Sequence, residues 1–201
     1  DTDTSSAAGW TLTGSALTLA GTTPTITVNA LGTAKTTTIS AVVDGLAGLT
    51  KAGTGTLTLS AANTYTGLTT VSNGTLQLQG GAFSTTARDY AIASGAVLNL
   101  DGNTGVASGT TTFDGTGTLR ITGGTFANET PNDPKGDGRD ISMVLDAGAV
   151  IDVQSGATMY NGGWQAITWT NNKASLNMDG SFNLWDGNPV FVDALTGAGT
   201  V

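Results

Sequence analysis

Residues 48–80, "GLTKAGTGTLTLSAANTYTGLTTVSNGTLQLQG", decide the fold class. They consist almost entirely of Gly, Thr, Ser and Asn, with Leu and Val at alternating positions. Alternation with a period of two is typical of β-strands, and Gly and Asn between such runs are typical of tight turns. The stretch contains little that could perform catalysis, so its regularity is expected to serve the fold.

The rest of the chain has the same composition. Its 201 residues include 30 Gly and 38% hydrophobic residues, but no Cys, no His and a single glutamate, Glu129. We therefore expect one folded all-β domain over residues 1–201. A formal net charge of -8 argues against a nucleic-acid partner, which requires clustered Lys and Arg. No apolar run approaches the roughly 18 residues needed to span a membrane.

A short phrase returns along the sequence: a turn residue followed by an alternating strand. From residue 57 onwards the first apolar positions are separated by steps of 19, 22, 21, 31 and 26 residues, so the period is near twenty. These positions are Leu57, Leu76, Leu98, Leu119, Val150 and Leu176. The phrases are "GSALTL" (14–19), "GTGTLTL" (53–59), "NGTLQLQG" (73–80), "SGAVLNLDG" (94–102), "GTGTLRITG" (115–123), "AGAVIDVQSG" (147–156) and "KASLNMDG" (173–180).

A helix-free repeat of this length predicts a β-solenoid, a parallel β-helix with coils of about 20 residues. One coil cannot bury its Leu and Val alone, so successive coils must stack at about 4.8 Å. An antiparallel sandwich is the alternative all-β fold, but it gives no reason for the phrase to return. The polar stretch at residues 126–140 is expected to be one inserted loop, and the less regular first fifty residues to be initial coils with a cap.

Residues 48–80 closely resemble the autotransporter-associated β-strand repeat. The matching elements are Gly-Leu-Thr-Lys at 48–51, Gly-x-Gly-Thr-Leu-x-Leu at 53–59, Asn-x-Tyr-x-Gly at 63–67 and Gly-Thr-Leu at 74–76. The resemblance implies a right-handed parallel β-helix in a secreted or cell-surface bacterial protein, and it names no ligand. In general character the chain is also similar to β-helical carbohydrate-binding modules attached to bacterial xylanases.

Aromatic residues concentrate at 159–191, where Trp164 and Trp185 are 21 residues apart, close to one coil. If they lie on one face, they form a platform for sugar rings, with amides and carboxylates nearby for the hydroxyls. The same indoles could instead fill the core or close its open end. The candidate carbohydrate-binding residues are Trp164, Trp185, Trp169, Tyr160, Asn161, Gln165, Asp186 and Asn188.

Catalytic and metal chemistry have few candidates. A nucleophilic triad and a zinc site normally need His or Cys, and most Asp residues lie beside Gly or at strand ends, where Asp serves turns. Within "NDPKGDGRD" (132–140), Asp133, Asp137 and Asp140 suggest a calcium loop, although the stretch departs from the EF-hand pattern. A solvated acidic loop is the alternative.

Three functions follow from the sequence. The first expectation is a non-catalytic carbohydrate-binding module for a plant cell-wall polysaccharide, with xylan the expected ligand and a catalytic domain elsewhere in the full-length protein. The alternative is a structural passenger or spacer segment of a secreted bacterial protein. The third is a β-helical polysaccharide lyase or hydrolase.

Overall fold

The computed structural model describes residues 9–30, 36–80, 88–102, 109–126, 139–161, 166–184 and 189–201. In this part of the chain all paired strands run parallel, and each strand pairs with strands one coil away. Each coil passes from a nine-stranded sheet through a corner or short third face to a seven-stranded sheet. The predicted β-solenoid is therefore confirmed.

The strands of the two large sheets are short, as expected for coils interrupted by Gly and Asn. The nine-stranded sheet contains, in order, β1 (Gly9–Leu12), β4 (Thr36–Ile39), β7 (Thr56–Leu59), β9 (Thr75–Gln79), β11 (Val97–Asp101), β13 (Thr118–Thr122), β16 (Val150–Val153), β19 (Ser175–Met178) and β21 (Leu195–Thr196). The seven-stranded sheet contains β3 (Thr25–Thr27), β6 (Leu49–Ala52), β8 (Thr69–Val71), β10 (Tyr90–Ile92), β12 (Gly109–Gly115), β15 (Arg139–Leu145) and β18 (Ala166–Thr168).

The third face forms sheets only near the two ends of the described chain. It holds a pair, β2 (Leu17–Thr18) with β5 (Val43–Asp44), and a three-stranded sheet, β14 (Thr125–Phe126), β17 (Thr158–Asn161) and β20 (Ser181–Leu184). Near its middle this face is a corner rather than a strand, and there the side-chain amide of Asn63 takes over backbone pairing. Its Oδ1 accepts the backbone N–H of Val43 at 2.8 Å, one coil away.

The core consists of inward side chains stacked from coil to coil, as predicted. In the nine-stranded sheet, one column holds Leu57, Leu76, Leu98, Leu119, Ile151 and Leu176, all at most 2% exposed. A second column holds Ile39, Leu59, Leu78, Leu100, Ile121, Val153 and Met178. The seven-stranded sheet adds aromatic residues, and Tyr90 stacks on Phe113 with ring centroids 5.3 Å apart.

Two details of the predicted register are wrong. Val150 pairs with Thr118 and points outwards, whereas Ile151 pairs with Leu119 and is buried. The phrase at 14–19 also does not begin a strand of the nine-stranded sheet, because Leu17 belongs to the third face and residues 9–12 occupy that place. Alternation alone does not decide which of two adjacent apolar residues is buried. Nor does it decide which of several similar runs in a coil forms the strand of a given sheet.

Glycine is required where consecutive coils meet at a corner. The α-carbon of Gly48 lies so close to the carbonyl oxygen of Leu68, in the next coil, that a β-carbon would overlap it. The same applies to Gly67 against the backbone of Ala47 and Gly48. The glycines of the repeat therefore permit stacking contacts as well as turns.

Most of the predicted inserted loop at residues 126–140 lies outside the described residues, and its two ends belong to strands. β14 ends at Phe126 and β15 begins at Arg139, and residues 127–138 between them lie outside the described residues. The surrounding coil is long, since Leu119 pairs with Ile151, 32 residues further on. The strands on both sides nevertheless keep their parallel register.

A buried hydroxyl interrupts the first column. Thr37 pairs with Leu57, is 0% exposed, and its Oγ1 has no hydrogen-bond partner among the described residues. A buried polar group without a partner costs about 1–3 kcal/mol, whereas a methyl group of the same shape suits the column.

We expect Thr37→Val to raise the free energy of unfolding by about 1 kcal/mol or more. The matched control is Thr38→Val on the same strand, because Thr38 points outwards and its hydroxyl can reach solvent. Chemical denaturation of both variants and the unchanged protein checks this. Equal effects at the two positions would contradict the argument.

Candidate functional site

The corner of the repeat at residues 48–80 buries several polar side chains. Tyr65 is 0% exposed, and its hydroxyl lies 2.8 Å from Thr69 Oγ1. The Arg88 guanidinium of the following coil lies over the Tyr65 ring, 4.0 Å from the centroid, and donates to the carbonyl of Asn63 at 2.7 Å. Asn63 and Tyr65 therefore connect coils from the inside, and their side chains present no surface to a ligand.

Lys51 is a second buried polar residue of this repeat. It occupies an inward position of β6, between Ile26 and Val71 of neighbouring strands, and is 0% exposed. Its Nζ donates to the carbonyl oxygens of Gly53 at 2.7 Å and of Asn73 at 2.8 Å. Because Asn73 lies one coil away, the amine connects two coils. Burial lowers the pKa of Lys51 to about 8.

We expect the stability contributed at Lys51 to increase with pH. Between pH 8 and pH 10.5 the unfolded chain binds a proton that the folded chain does not. The free energy of unfolding should therefore rise by up to about 3 kcal/mol across this window, relative to a Lys51→Met variant. Denaturant titrations at several pH values measure the difference between the two proteins.

Lys173→Met provides the control, since Lys173 is exposed and its replacement also removes one positive charge. A difference between unchanged protein and Lys51→Met that stays constant from pH 8 to pH 10.5 would contradict the assignment.

Outward positions of the nine-stranded sheet form a polar row. Strand register places its members one above another from β7 to β21: Thr58, Gln77, Asn99, Arg120, Asp152, Asn177 and Thr196. Several of these side chains form hydrogen bonds within the row or with the outward residue two positions further along a neighbouring strand. Gln77 donates to Asp101 at 2.7 Å, Thr122 donates to Asn99 at 2.7 Å, and Thr196 donates to Asn177 at 3.2 Å.

Asp152 accepts three side-chain hydrogen bonds in the polar row and beside it. Its carboxylate accepts bonds from Arg120 Nε at 2.8 Å, Gln154 Nε2 at 2.7 Å and Asn177 Nδ2 at 2.9 Å. Burial raises the pKa of Asp152, but these three donors together outweigh burial and hold the pKa below its ordinary value. The carboxylate therefore connects its own coil to the coil before it, through Arg120, and to the coil after it, through Asn177.

We expect Asp152→Asn to lower the free energy of unfolding at neutral pH by about 1–3 kcal/mol, through loss of charge-assisted hydrogen bonds. Since the folded pKa lies below the ordinary value of 3.8, this contribution is present above pH 3.8 and is lost as the pH falls through the folded pKa. Denaturation in acid and at neutral pH should show the two proteins converging in acid.

The exposed Asp146→Asn is the matched control, because it also removes one carboxylate. If its pH profile equals that of Asp152→Asn, the hydrogen bonds of Asp152 do not explain the effect.

The predicted carbohydrate-binding residues do not assemble into a described exposed face. Trp169 is 1% exposed, Asn161 is 0% exposed, and the indole N–H of the first donates to Oδ1 of the second at 2.8 Å. Trp169 also contacts Phe182, with ring centroids 6.1 Å apart. These two predictions are wrong, because both side chains belong to the core. Tyr160 is half-buried in β17.

The remaining five predicted residues lie outside the described residues: Trp164, Gln165, Trp185, Asp186 and Asn188. The described strands next to the two Trp residues have different steps. Asn161 pairs with Leu184, a step of 23 residues, and Leu176 pairs with Leu195, a step of 19. Neither register fixes the step of 21 between the two Trp residues. Their stacking stays a prediction.

The calcium loop also stays a prediction. Asp133 and Asp137 lie outside the described residues, and Asp140 is located only by the backbone of β15. The described residues contain no group of three or more Asp, Glu, His or Cys side chains that could hold a metal ion. Nor do they include a helix that is long and apolar enough to cross a membrane.

The sequence contained signals for the buried polar residues that the site prediction missed. Lys51 follows Leu49 at an inward spacing of two, and the polar row could have been read by aligning the repeated phrases. The signal for Trp169 was weaker, since an indole among amides is compatible with either a surface or a core.

The fold and these contacts define a parallel β-solenoid whose polar residues connect coils. Residues 49–78 match the family model of the passenger-associated-transport-repeat. Over 144 residues the chain is 36% identical to "Adhesin BmaC autotransporter" from Brucella suis biovar 1 (strain 1330), a match that covers 64% of this chain. The chain spans only 4% of the length of that relative. No solved structure matches the chain.

These matches confirm the resemblance to the autotransporter-associated repeat and the location in a secreted or cell-surface bacterial protein. They also correct the functional expectation. The prediction of a xylan-binding module for plant polysaccharide is wrong, because both matches are to autotransporter passengers. The expected attachment to a catalytic domain likewise finds no support in them.

Proposed function

We propose that the chain is a structural segment of a bacterial autotransporter passenger, a non-enzymatic stiff spacer made of stacked coils. The observation that carries this proposal is the continuous parallel register of the nine-stranded sheet. Strands in such a stack fix the distance between coils at about 4.8 Å, so nine strands span about 38 Å. The segment thus adds length in proportion to its number of coils.

The use of the polar side chains supports the same proposal. Lys51, Arg88 and Asp152 engage the backbone or side chains of other coils, and each of them is buried. Groups that bond to one another stiffen the stack and leave little free for recognition or catalysis. A β-helical hydrolase would need a pair of free carboxylates, and Asp152, the most hydrogen-bonded carboxylate of the nine-stranded sheet, is instead engaged by Arg120, Gln154 and Asn177.

The relative supports a place within a much longer protein. That relative is named as an adhesin, and adhesion is therefore a property of that whole protein. We propose that the present chain, folded as a single unit over residues 1–201, contributes reach. In this proposal any adhesive surface lies elsewhere in the passenger.

A variant that duplicates residues 57–118 tests the spacer. The duplicated piece contains three coils, because Leu57 stacks through Leu76 and Leu98 onto Leu119. At the junction Thr118 precedes Leu57. Because Thr118 aligns with Thr56 across the intervening strands, the junction keeps the strand register. We expect a cooperatively unfolding β-protein whose maximum dimension in small-angle X-ray scattering increases by about 14 Å.

A duplication of residues 57–108 is the control, since it ends between the two large sheets and disrupts the register. A second measurement uses cells. With the in-register variant placed between an outer-membrane anchor and an N-terminal epitope, the epitope should remain accessible on the cell surface. Failure of the in-register duplication to fold, or an unchanged maximum dimension, would overturn the proposal.

A further inference from the structure

The corner before β9 places a backbone nitrogen against a side-chain amide. Asn73 and Gly74 form this corner, and the nitrogen of Gly74 lies 2.7 Å from Oδ1 of Asn73, to which it donates. Among the described residues this is the only hydrogen bond of that N–H, so the nitrogen takes no part in pairing between coils. Asn73 is exposed, and water therefore reaches its carboxamide.

The fold requires glycine at position 74. Gly74 has a φ of 65°, in the left-handed region, and a β-carbon there would overlap the carbonyl oxygens of Gly53 and Gly55 in the previous coil. Glycine is also the residue whose nitrogen is least obstructed when it attacks a preceding side chain, because it has no side chain of its own. Close stacking of the coils thus keeps an unhindered nitrogen beside the amide of Asn73.

Two other asparagines differ in this respect. Asn63 is 0% exposed, and its Oδ1 accepts the backbone N–H of Val43. Asn161 is also followed by Gly, but it is 0% exposed and its Oδ1 accepts the indole N–H of Trp169. Both buried carboxamides are engaged by distant parts of the chain, whereas that of Asn73 is exposed and contacts the next residue.

We propose that Asn73 is a site of spontaneous covalent modification, at which the chain converts its own asparagine to aspartate and isoaspartate. The nitrogen of Gly74 attacks Cγ of Asn73, the Cγ–Nδ2 bond breaks, and ammonia leaves with the proton of the Gly74 nitrogen. Water then opens the resulting succinimide at either of its carbonyl groups, so no oxidant or reductant is needed. A nitrogen that already contacts the carboxamide lowers the orientational cost of closing the ring.

The isoaspartate product alters a contact inside the core. Its main chain passes through Cγ, so the Asn73 carbonyl group that accepts Lys51 Nζ at 2.8 Å becomes a free carboxylate. A carboxylate beside the buried amine favours the ammonium form. The rise in the free energy of unfolding that Lys51 causes between pH 8 and pH 10.5 should therefore be smaller in the isoaspartyl protein. This modification goes beyond the spacer function and does not depend on it.

Incubation of the folded protein at mildly alkaline pH, followed by trypsin digestion and fragmentation mass spectrometry, tests the proposal. Residues 52–88 form one tryptic peptide that contains both Asn63 and Asn73, and Asn161 lies in the peptide 140–173. We expect Asn73 to lose its amide at least about tenfold faster than Asn63 and Asn161 in the folded protein. In denaturant, Asn161 should react at a rate similar to that of Asn73, because both are followed by Gly.

The matched control is Asn73→Gln, which keeps the amide but would have to close a larger ring. Peptide 52–88 of this variant should keep its mass under the same conditions. Circular dichroism and thermal melts establish that the variant is folded.

An Asn73 that stays intact in the folded protein would overturn the proposal, as would equal rates at Asn73 and Asn161 in the folded protein. The isoaspartyl protein can be separated by its additional negative charge. If it retains the pH dependence of the unmodified protein, the contact of the new carboxylate with Lys51 is overturned. None of these outcomes affects the duplication experiment, which measures folding and length, so failure of the modification is distinguishable from failure of the spacer function.

Discussion

The structure depends on one constraint: every coil must be placed on the previous one in the same parallel register. Because side chains alternate along a strand, a slip by one residue would turn each inward Leu to solvent. The steps between paired residues of the nine-stranded sheet nevertheless range from 19, between Leu57 and Leu76, to 32, between Leu119 and Ile151. Additional residues must therefore lie at the corners or in the insertion, where they leave the strands in register.

The corners explain why a core this narrow contains polar side chains. Where the chain turns, some carbonyl groups cannot bond to the next strand, and a buried acceptor without a donor costs free energy. Lys51 supplies donors to two such carbonyls, and Arg88 supplies one to Asn63. The ammonium must then lose hydration, which is why burial lowers its pKa. These residues stabilise the corners at the cost of desolvation.

The fold could be predicted from the sequence because the parallel register requires the same inward residues to return in every coil. The spacing of Leu57, Leu76, Leu98 and Leu119 predicted one column of the core residue by residue. It failed at Val150 because two adjacent apolar residues satisfy the alternation equally, and only the contact of Ile151 with its neighbours decides between them. Periodicity therefore predicts a column where each coil has one apolar residue at that place, and it leaves two candidates where two such residues are adjacent.

The candidate site could not be predicted in the same way. An indole near amides has the composition of a sugar-binding face, but the same groups can satisfy one another inside a protein, as Trp169 and Asn161 do at 2.8 Å. Composition does not distinguish the two cases, because a buried Trp needs an acceptor for its indole N–H, whereas a sugar-binding Trp is accompanied by amides that bond to the hydroxyls of the sugar. In a solenoid the distinction depends on which way a side chain points within a single coil, and composition does not state that.

Repetition also determines where specificity can arise in such a protein. Coils along the middle of the stack bury equivalent columns and commit their outward polar groups to one another, so they differ little as surfaces. Positions at which the pattern is broken, such as Thr37 in the first column, are the ones where a coil differs from its neighbours, because a hydroxyl there occupies the place of a Leu.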